Sequence, residues 1–387
     1  MHDYIHRDIE DFIQLNLQTF PAIILLGTRQ CGKSTLIKKL SIEFESFLYL
    51  DLQNYQDLNK LTDINLFFKS NEDVTICLDE VQMLPELFSF LRSEIDNNRR
   101  NGRFILLGSA SQQIIQKSSE SLAGRVGLIH LTPFTFYELN PDATFNLQKH
   151  WFRGGYPDSY LAESDIISNL WRANYIRTYI ERDIPQLGIQ IPALQLRRLL
   201  TMLCHIQGQI INLSKLGESL GSSHTTIRKY IDLLEQTFVI RTILPFEPNI
   251  KKRLVKSPKV FVRDSGLLHQ LLTISDFNQL LGNPVLGSSW EGYVIENITS
   301  KLVDYTPFFY RTASGDEMDL VLIKGDERIA IECKVSSAPK LTKGFWNAID
   351  AIQPTKTFVV VPIETCYELK KDIWVTGMEK LLSLIIS

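Results

Sequence analysis

The stretch that most constrains this 387-residue chain is AIILLGTRQCGKSTLIKKL, residues 22–40. Its apolar run, Ala22 to Leu26, predicts a buried parallel strand that ends at Gly27. Gly27-Thr28-Arg29-Gln30-Cys31-Gly32-Lys33-Ser34 then matches G-x-x-x-x-G-K-[ST] in full. The glycines let the backbone curl so that successive N–H groups converge on a phosphate. Lys33 supplies a point charge for the β- and γ-phosphates, and Ser34 a hydroxyl for Mg²⁺. Leu36, Ile37 and Leu40 recur at helical spacing. Residues 27–35, through Thr35, would therefore present a bound phosphate to a helix N-terminus. ATP with Mg²⁺ is the ligand this implies.

A carboxylate pair belongs with such a loop, and the chain has one. Phe47-Leu48-Tyr49-Leu50-Asp51-Leu52 reads as a second buried strand, and Thr75-Ile76-Cys77-Leu78-Asp79-Glu80 as a third. The third has the Walker B form, an apolar strand delivering two acids to its C-terminal edge. Asp79 is expected to hold Mg²⁺ through Ser34 or water, and Glu80 to orient and deprotonate the attacking water. A fourth strand, Arg103 to Ser111, ends in small polar residues. Ser109 stands there either as a sensor of the γ-phosphate or as a plain helix N-cap. Alternating strands and helices of this kind give a parallel sheet covered on both faces, with ligand at the strand C-termini.

Composition excludes several classes. The chain is 44% apolar and 22% charged, as in ordinary globular proteins, and a net charge of -3 gives no global pull toward nucleic acid or anionic membrane. Cys31, Cys77, Cys204, Cys333 and Cys366 form no C-x-x-C pair, which argues against a zinc ribbon or disulfide framework and fits a reducing cytoplasm. The opening MHDYIHRDIED is polar and acidic where a secretory leader is basic and then apolar. No apolar run approaches the roughly 20 residues of a membrane span. A soluble cytoplasmic protein with no membrane partner is expected.

LDEVQMLPELFSFLRSEID, FILLGSAS and SESLAGRVGLIHLTPFTFYEL together resemble the bacterial and archaeal AAA-type ATPases that carry a C-terminal domain of unknown function. The resemblance covers nearly the whole chain. It implies an ATPase core over residues 1–150 and a small helical lid and linker over 151–190. Arg125 occupies the place where AAA relatives put an arginine finger reaching a neighbouring subunit's nucleotide, which would require a homo-oligomer. The alternative is a structural Arg paired with a carboxylate of its own domain. Trp151-Phe152-Arg153-Gly154-Gly155-Tyr156-Pro157 opens the lid, with Arg153 a second phosphate sensor. Tyr179-Ile180-Glu181-Arg182-Asp183-Ile184 reads as an interdomain salt-bridge cluster.

Residues 191–265 read as a winged helix. Helical apolar spacing runs over 194–206, then over Leu213, Leu216 and Leu220, then over Ile227, Tyr230, Ile231 and Leu234, with Gly221-Ser222-Ser223 as the turn. Val239 to Leu244 and Lys259 to Arg263 make the wing, with the basic tip Lys251-Lys252-Arg253-Leu254-Val255-Lys256 between them. Ser223, His224, Thr226, Arg228 and Lys229 lie on the exposed side of the third helix, where they could meet a major groove and its phosphates. DNA is the partner that Arg228, Lys229, Lys251, Lys252 and Arg253 point to. Protein docking through the same module is the alternative.

Residues 266–387 close the chain with Gly315-Asp316-Glu317-Met318-Asp319 and Arg328-Ile329-Ala330-Ile331-Glu332-Cys333-Lys334 on two strands. Asp319 followed by Glu332-x-Lys334 resembles the PD-(D/E)xK nuclease superfamily, and so implies a restriction-endonuclease-like α/β domain. Residues two apart on a strand share a face, so Glu332 and Lys334 point together. Asp319 and Glu332, with Glu291 from the preceding helix, would form an oxygen site for Mg²⁺ or Mn²⁺, while Lys334 steadies the water or the developing charge. The alternatives are a retained fold with a decayed site, or an ordinary salt-bridged hairpin. Two functions remain: an ATP-driven enzyme acting on DNA and cutting it, or a nucleotide-gated regulatory or scaffold protein.

Overall fold

The computed structural model describes residues 4–109, 121–184, 191–247 and 257–386. The chain is α/β and divides into two compact units. Residues 1–134, 183–190 and 236–238 make the first; residues 135–182, 191–235 and 239–387 make the second.

The first unit is built on five strands: β1 (Ala22–Gly27), β2 (Phe47–Asp51), β3 (Thr75–Asp79), β4 (Phe104–Ser109) and β5 (Val126–Leu131). They lie in the order β2-β3-β4-β1-β5, every pair parallel. Central β1 is buried along its whole length, which is why its sequence is a continuous apolar run rather than an alternating one. Ala22, Ile24 and Leu26 face one core, with Leu78, Phe88 and Leu91. Ile23 and Leu25 face the other, with Leu36, Ile37 and Leu40 of helix Lys33–Leu40. Burying each Leu or Ile stabilises by about 1.5–3 kcal/mol, so a charge at Leu25 would undo the element. The register sets Gly27 opposite both Ser109 and Leu131, so the phosphate-loop start and the end of β4 share one edge.

Eight strands form the sheet of the second unit: β6 (Ile240–Pro245), β7 (Lys259–Val262), β8 (Thr306–Arg311), β9 (Glu317–Lys324), β10 (Glu327–Cys333), β11 (Lys356–Val360), β12 (Cys366–Lys370) and β13 (Ile373–Thr376). Their order is β12-β13-β11-β10-β9-β8-β6-β7. Helices Ala193–His205, Leu213–Leu220 and His224–Gln236 precede the β6–β7 hairpin, in the order expected for residues 191–265.

Most of the segments expected at 151–190, 191–265 and 266–387 fall in one compact unit. β6 pairs in parallel with β8, Leu244 opposite Phe308 and Pro245 opposite Phe309, so the hairpin is the edge of one continuous sheet. The segment expected as a lid contributes Trp151 and Phe152 to a core that also holds Phe261, Trp290 and Tyr293. Arg153, expected as a phosphate sensor, donates to Asp165 Oδ1 at 2.6 Å and to the Ala162 and Tyr160 carbonyls, and is 7% exposed. Its donors are consumed inside its own unit.

Candidate functional site

Backbone geometry makes the cradle. A Cβ at Gly27 would stand 2.4 Å from the Leu131 carbonyl oxygen, so only glycine fits where β1 runs into the loop. Gly32 takes φ +102° and Gln30 φ +63°, turns that curl the N–H groups inward before helix Lys33–Leu40 begins. Lys33 is buried, its Nζ bonded to the Gly27 and Thr28 carbonyls at 3.1 and 2.9 Å. Thr28 is also buried, and its Oγ1 has no hydrogen-bond partner among the described residues. Arg29 pairs with Asp183. Cys31 packs in the core beneath the loop, and Thr35 is exposed on the first helical turn.

The carboxylates arrive as the strand pattern requires. Ser34 Oγ donates to Asp79 Oδ2 at 2.6 Å. The same oxygen accepts the phenol of Tyr49, whose own ionisation burial and the Asp79 bond push well up. Asp79 Oδ1 accepts the Glu80 N–H at 2.8 Å. Glu80 sits at φ +58°, a left-handed conformation uncommon for a glutamate, which turns its side chain away from the strand line. The Gln82 amide donates both to Glu80 and, at 3.1 Å, to Ser109 Oγ. Ser109 is thus linked to Glu80 through Gln82, and the segment it would cap lies outside the described residues.

These residues fit Mg²⁺ and a nucleoside triphosphate. The set offers a hydroxyl and a carboxylate as oxygen donors, a buried ammonium on the loop, and an orphaned buried hydroxyl.

Arg125 pairs within its own unit. Its Nε and Nη2 form a two-pronged bridge with Asp96 at 2.6 and 3.0 Å, and Nη1 donates to the Ala123 carbonyl. It precedes β5, where Val126 is level with Ala22, at the opposite end of β1 from the loop. Within the single chain, Arg125 makes the intradomain pairing with Asp96.

In the second unit, β9 and β10 are antiparallel with Leu320 level with Ile331, so Asp319 and Glu332 are neighbours. Lys334 Nζ bonds Glu332 Oε1 at 2.5 Å, on the face expected. Glu291 comes from helix Leu286–Lys301. The centre of these acids, though, holds the ammonium of Lys259, 2.8 Å from both Glu291 and Glu317 and 3.7 Å from Asp319. Among the described residues, no three His, Cys, Asp or Glu side chains are arranged to hold a metal ion. Of the expected metal set, Glu291 and Asp319 face the Lys259 ammonium, and Glu332 pairs with Lys334. Burial pushes Glu291 up to about 8 against the pull of Lys259, and burial with the Asp319 charge raises Glu332 likewise.

On the third helix of residues 191–235, Arg228 and Lys229 are exposed, and Arg228 lies 3.4 Å from Asp232. Ser223 accepts the Thr226 N–H at 3.1 Å, which makes it the helix cap rather than a free contact. Lys251, Lys252 and Arg253, with the rest of the basic tip, lie outside the described residues, as do Ala110 and Ser111. Of the Tyr179–Ile184 cluster, Glu181 bridges to Arg197 at 3.0 Å within the second unit, and Asp183 to Arg29 within the first.

Four participants escaped the sequence reading. Tyr49 carried a faint signal, since it lies one diagonal from Asp79 on the adjacent strand, within reach of a long aromatic side chain. Gln82 could have been suspected from its spacing after Glu80. Arg7 had no signal: it donates to the Cys31 carbonyl at 3.1 Å and the Thr132 carbonyl at 2.7 Å, bracing the loop from the N-terminal segment. Lys259 had none either.

Three family models match successive parts of the chain. An AAA domain matches residues 19–140, a domain of unknown function (DUF8612) residues 144–278, and another (DUF4143) residues 286–381. An uncharacterized protein of Mycobacterium tuberculosis is 36% identical over 377 residues, spanning 97% of this chain and 84% of the relative. One from Haemophilus influenzae is 24% identical over 276 residues, 63% of this chain and 67% of its own. Among solved structures, a Walker-type ATPase of Pyrococcus abyssi aligns with a TM-score of 0.46 at 16% identity, over 70% of this chain and 96% of that one.

Proposed function

The chain belongs to the family of AAA-domain proteins that continue into a DUF4143 domain, and from that membership we propose that its first unit binds and hydrolyses ATP with Mg²⁺. The observation that carries the reading is the join between loop and strand: Ser34 Oγ on Asp79 Oδ2, with Glu80 one residue on and held by Gln82. When bound, Mg²⁺ neutralises charge on the β- and γ-oxygens, and Ser34 and Asp79 are the residues to hold it. Lys33 and the loop N–H groups from Gly27 to Ser34 bind the phosphates. Glu80 orients the attacking water and accepts its proton, and Gln82 fixes Glu80 against Ser109.

Glu80→Gln keeps size and polarity but removes the base, so it should bind ATP and lose roughly 10²–10⁴ in turnover. Lys33→Ala should instead bind ATP weakly. Wild-type turnover in Glu80→Gln, measured as phosphate release, would overturn the assignment.

Action on DNA rests on exposed Arg228 and Lys229 and on the basic run Lys251-Lys252-Arg253. Duplex or single-stranded DNA should then accelerate ATP turnover in a salt-dependent way. The second reading, a nucleotide-gated regulatory protein without nuclease activity, is favoured by the Lys259 ammonium among the C-terminal acids. It expects DNA to leave turnover unchanged.

A further inference from the structure

We propose that Lys259 is the resident cation of the C-terminal acidic cluster, standing in for the divalent ion that a nuclease of this pattern would need. The cluster then works as a clamp inside the second unit, not as a phosphodiester-cleaving centre. This is independent of ATP hydrolysis, which is assigned to residues of the first unit.

The geometry is specific. Lys259 opens β7 and is 1% exposed, so its ammonium has no water to fall back on and must be satisfied by the protein. It finds Glu291 Oε1 and Glu317 Oε1 at 2.8 Å, Asp319 Oδ1 at 3.7 Å, and the Phe309 ring with its centroid at 5.4 Å. Two strands and a helix thus converge on one charge: β7 supplies it, β9 supplies Glu317 and Asp319 from one face, and helix Leu286–Lys301 supplies Glu291.

A divalent ion needs the same oxygens. Mg²⁺ demands them at about 2.0–2.1 Å in near-octahedral geometry, and the ammonium already occupies the space between them. Several of the other oxygens are engaged. Asp319 Oδ2 accepts the Cys333 N–H at 2.9 Å, Glu317 Oε2 lies 3.5 Å from Arg311, and Glu332 Oε1 is bonded to Lys334. Lys259, Arg311 and Lys334 face Glu291, Glu317, Asp319 and Glu332, which leaves too little excess charge to draw in a dication. Glu332 Oε2, buried without a hydrogen-bond donor among the described residues, is an oxygen that an added ion would find unclaimed. A single such oxygen, without a substrate phosphate, makes a weak site. Gly208 packs against the cluster on the Glu291 side, where an added Cβ would come within 2.8 Å of Glu291 Oε2.

The test is Mn²⁺ binding to the full-length protein without nucleotide, followed by calorimetry and electron paramagnetic resonance, beside thermal unfolding of variants. Wild type should take up no Mn²⁺ that Asp319→Asn removes. Lys259→Met, which keeps length and loses charge, should lower Tm by about 10 °C, the scale of a broken buried ion pair. Adding Asp319→Asn to it, or millimolar Mn²⁺, should recover part of that loss. Mn²⁺ binding by wild type that depends on Asp319 would overturn the proposal, and so would a Lys259→Met protein as stable as wild type. The wild-type titration decides the matter even where Lys259→Met fails to fold.

Discussion

The guanidinium of Arg29, inside the loop between β1 and helix Lys33–Leu40, is ion-paired with the carboxylate of Asp183. The two are 154 residues apart, and both belong to the first unit. A carboxylate beside a cradle built for phosphate opposes anion binding, and it also draws off the one loop side chain besides Lys33 that carries positive charge. Arg29 is 42% exposed at its side chain, so solvent weakens the pair to about 0–1 kcal/mol. Asp183→Asn should therefore tighten ATP binding by roughly two- to fivefold, and more at low salt than at high. Equilibrium titration with a fluorescent ATP analogue measures it. Weaker binding by the variant would mean that the pair shapes the loop for binding rather than competing with the ligand.

Arg125 leads to a prediction of no effect on chemistry. Its bridge to Asp96 lies before β5, level with the start of β1, while the loop begins after Gly27. Five residues of strand separate them, roughly 17 Å. Arg125→Ala should leave ATP turnover per subunit unchanged and independent of protein concentration. An arginine finger supplied in trans would cost on the order of 10³–10⁵ in rate. Such a loss, with turnover that rises with concentration, would restore the finger.

What could be read in advance follows the range of the interactions. The loop, β1 and Asp79-Glu80 are local in sequence: a continuous apolar run means a strand buried on both faces, and glycines at fixed spacing mean a curled backbone. Ser34 and Asp79 are 45 residues apart, yet strand-loop-helix logic brings them to one sheet edge. The second unit resisted because its decisive contacts have no local signature. Leu244 and Pro245 join two expected domains by pairing with Phe308 and Phe309, and nothing in either dipeptide announces a partner some 64 positions away. Lys259 reads as an ordinary start to an edge strand. Only the fold brings Glu291, Glu317 and Asp319 around it. Arg125 was ambiguous for the same reason: its residue type fits a finger and a bridge equally, and only the position of Asp96 decides.

His269 predicts how stability changes with pH. The imidazole is fully buried, stacked on Phe152 with centroids 5.6 Å apart. Trp151 Nε1 donates to Ser289 Oγ at 2.9 Å, so the Ser289 hydroxyl is free to donate to His269 Nε2 at 2.8 Å, and Nδ1–H donates to the Phe152 carbonyl at 2.9 Å. This arrangement needs a neutral ring, and a proton on Nε2 would face a hydroxyl hydrogen. Burial drives its pKa down to about 3, with the nearby Arg172 charge adding and the Phe152 bond opposing. In the unfolded chain the ring titrates near 6.5. Above that pH both states are neutral and the full stability is present. Below it the unfolded chain takes a proton that the folded one refuses, so stability falls by up to about 1.4 kcal/mol per pH unit until the folded value near 3 is reached. Asp264 acts in the opposite sense. Burial raises it to about 6 against the Leu267 and Gly155 N–H groups and Arg172, so its contribution is present below about 4 and lost as pH rises through 6. The His269 share is isolated by comparison with His269→Asn, followed by urea unfolding of the full chain between pH 7 and 4, conditions set by roughly the 6.5 reference value. The variant should start less stable and show a flatter decline, by close to one proton per molecule at the low end. Parallel curves for the two proteins would mean that His269 is charged in the folded state, and the hydrogen-bond assignment through Ser289 would be wrong.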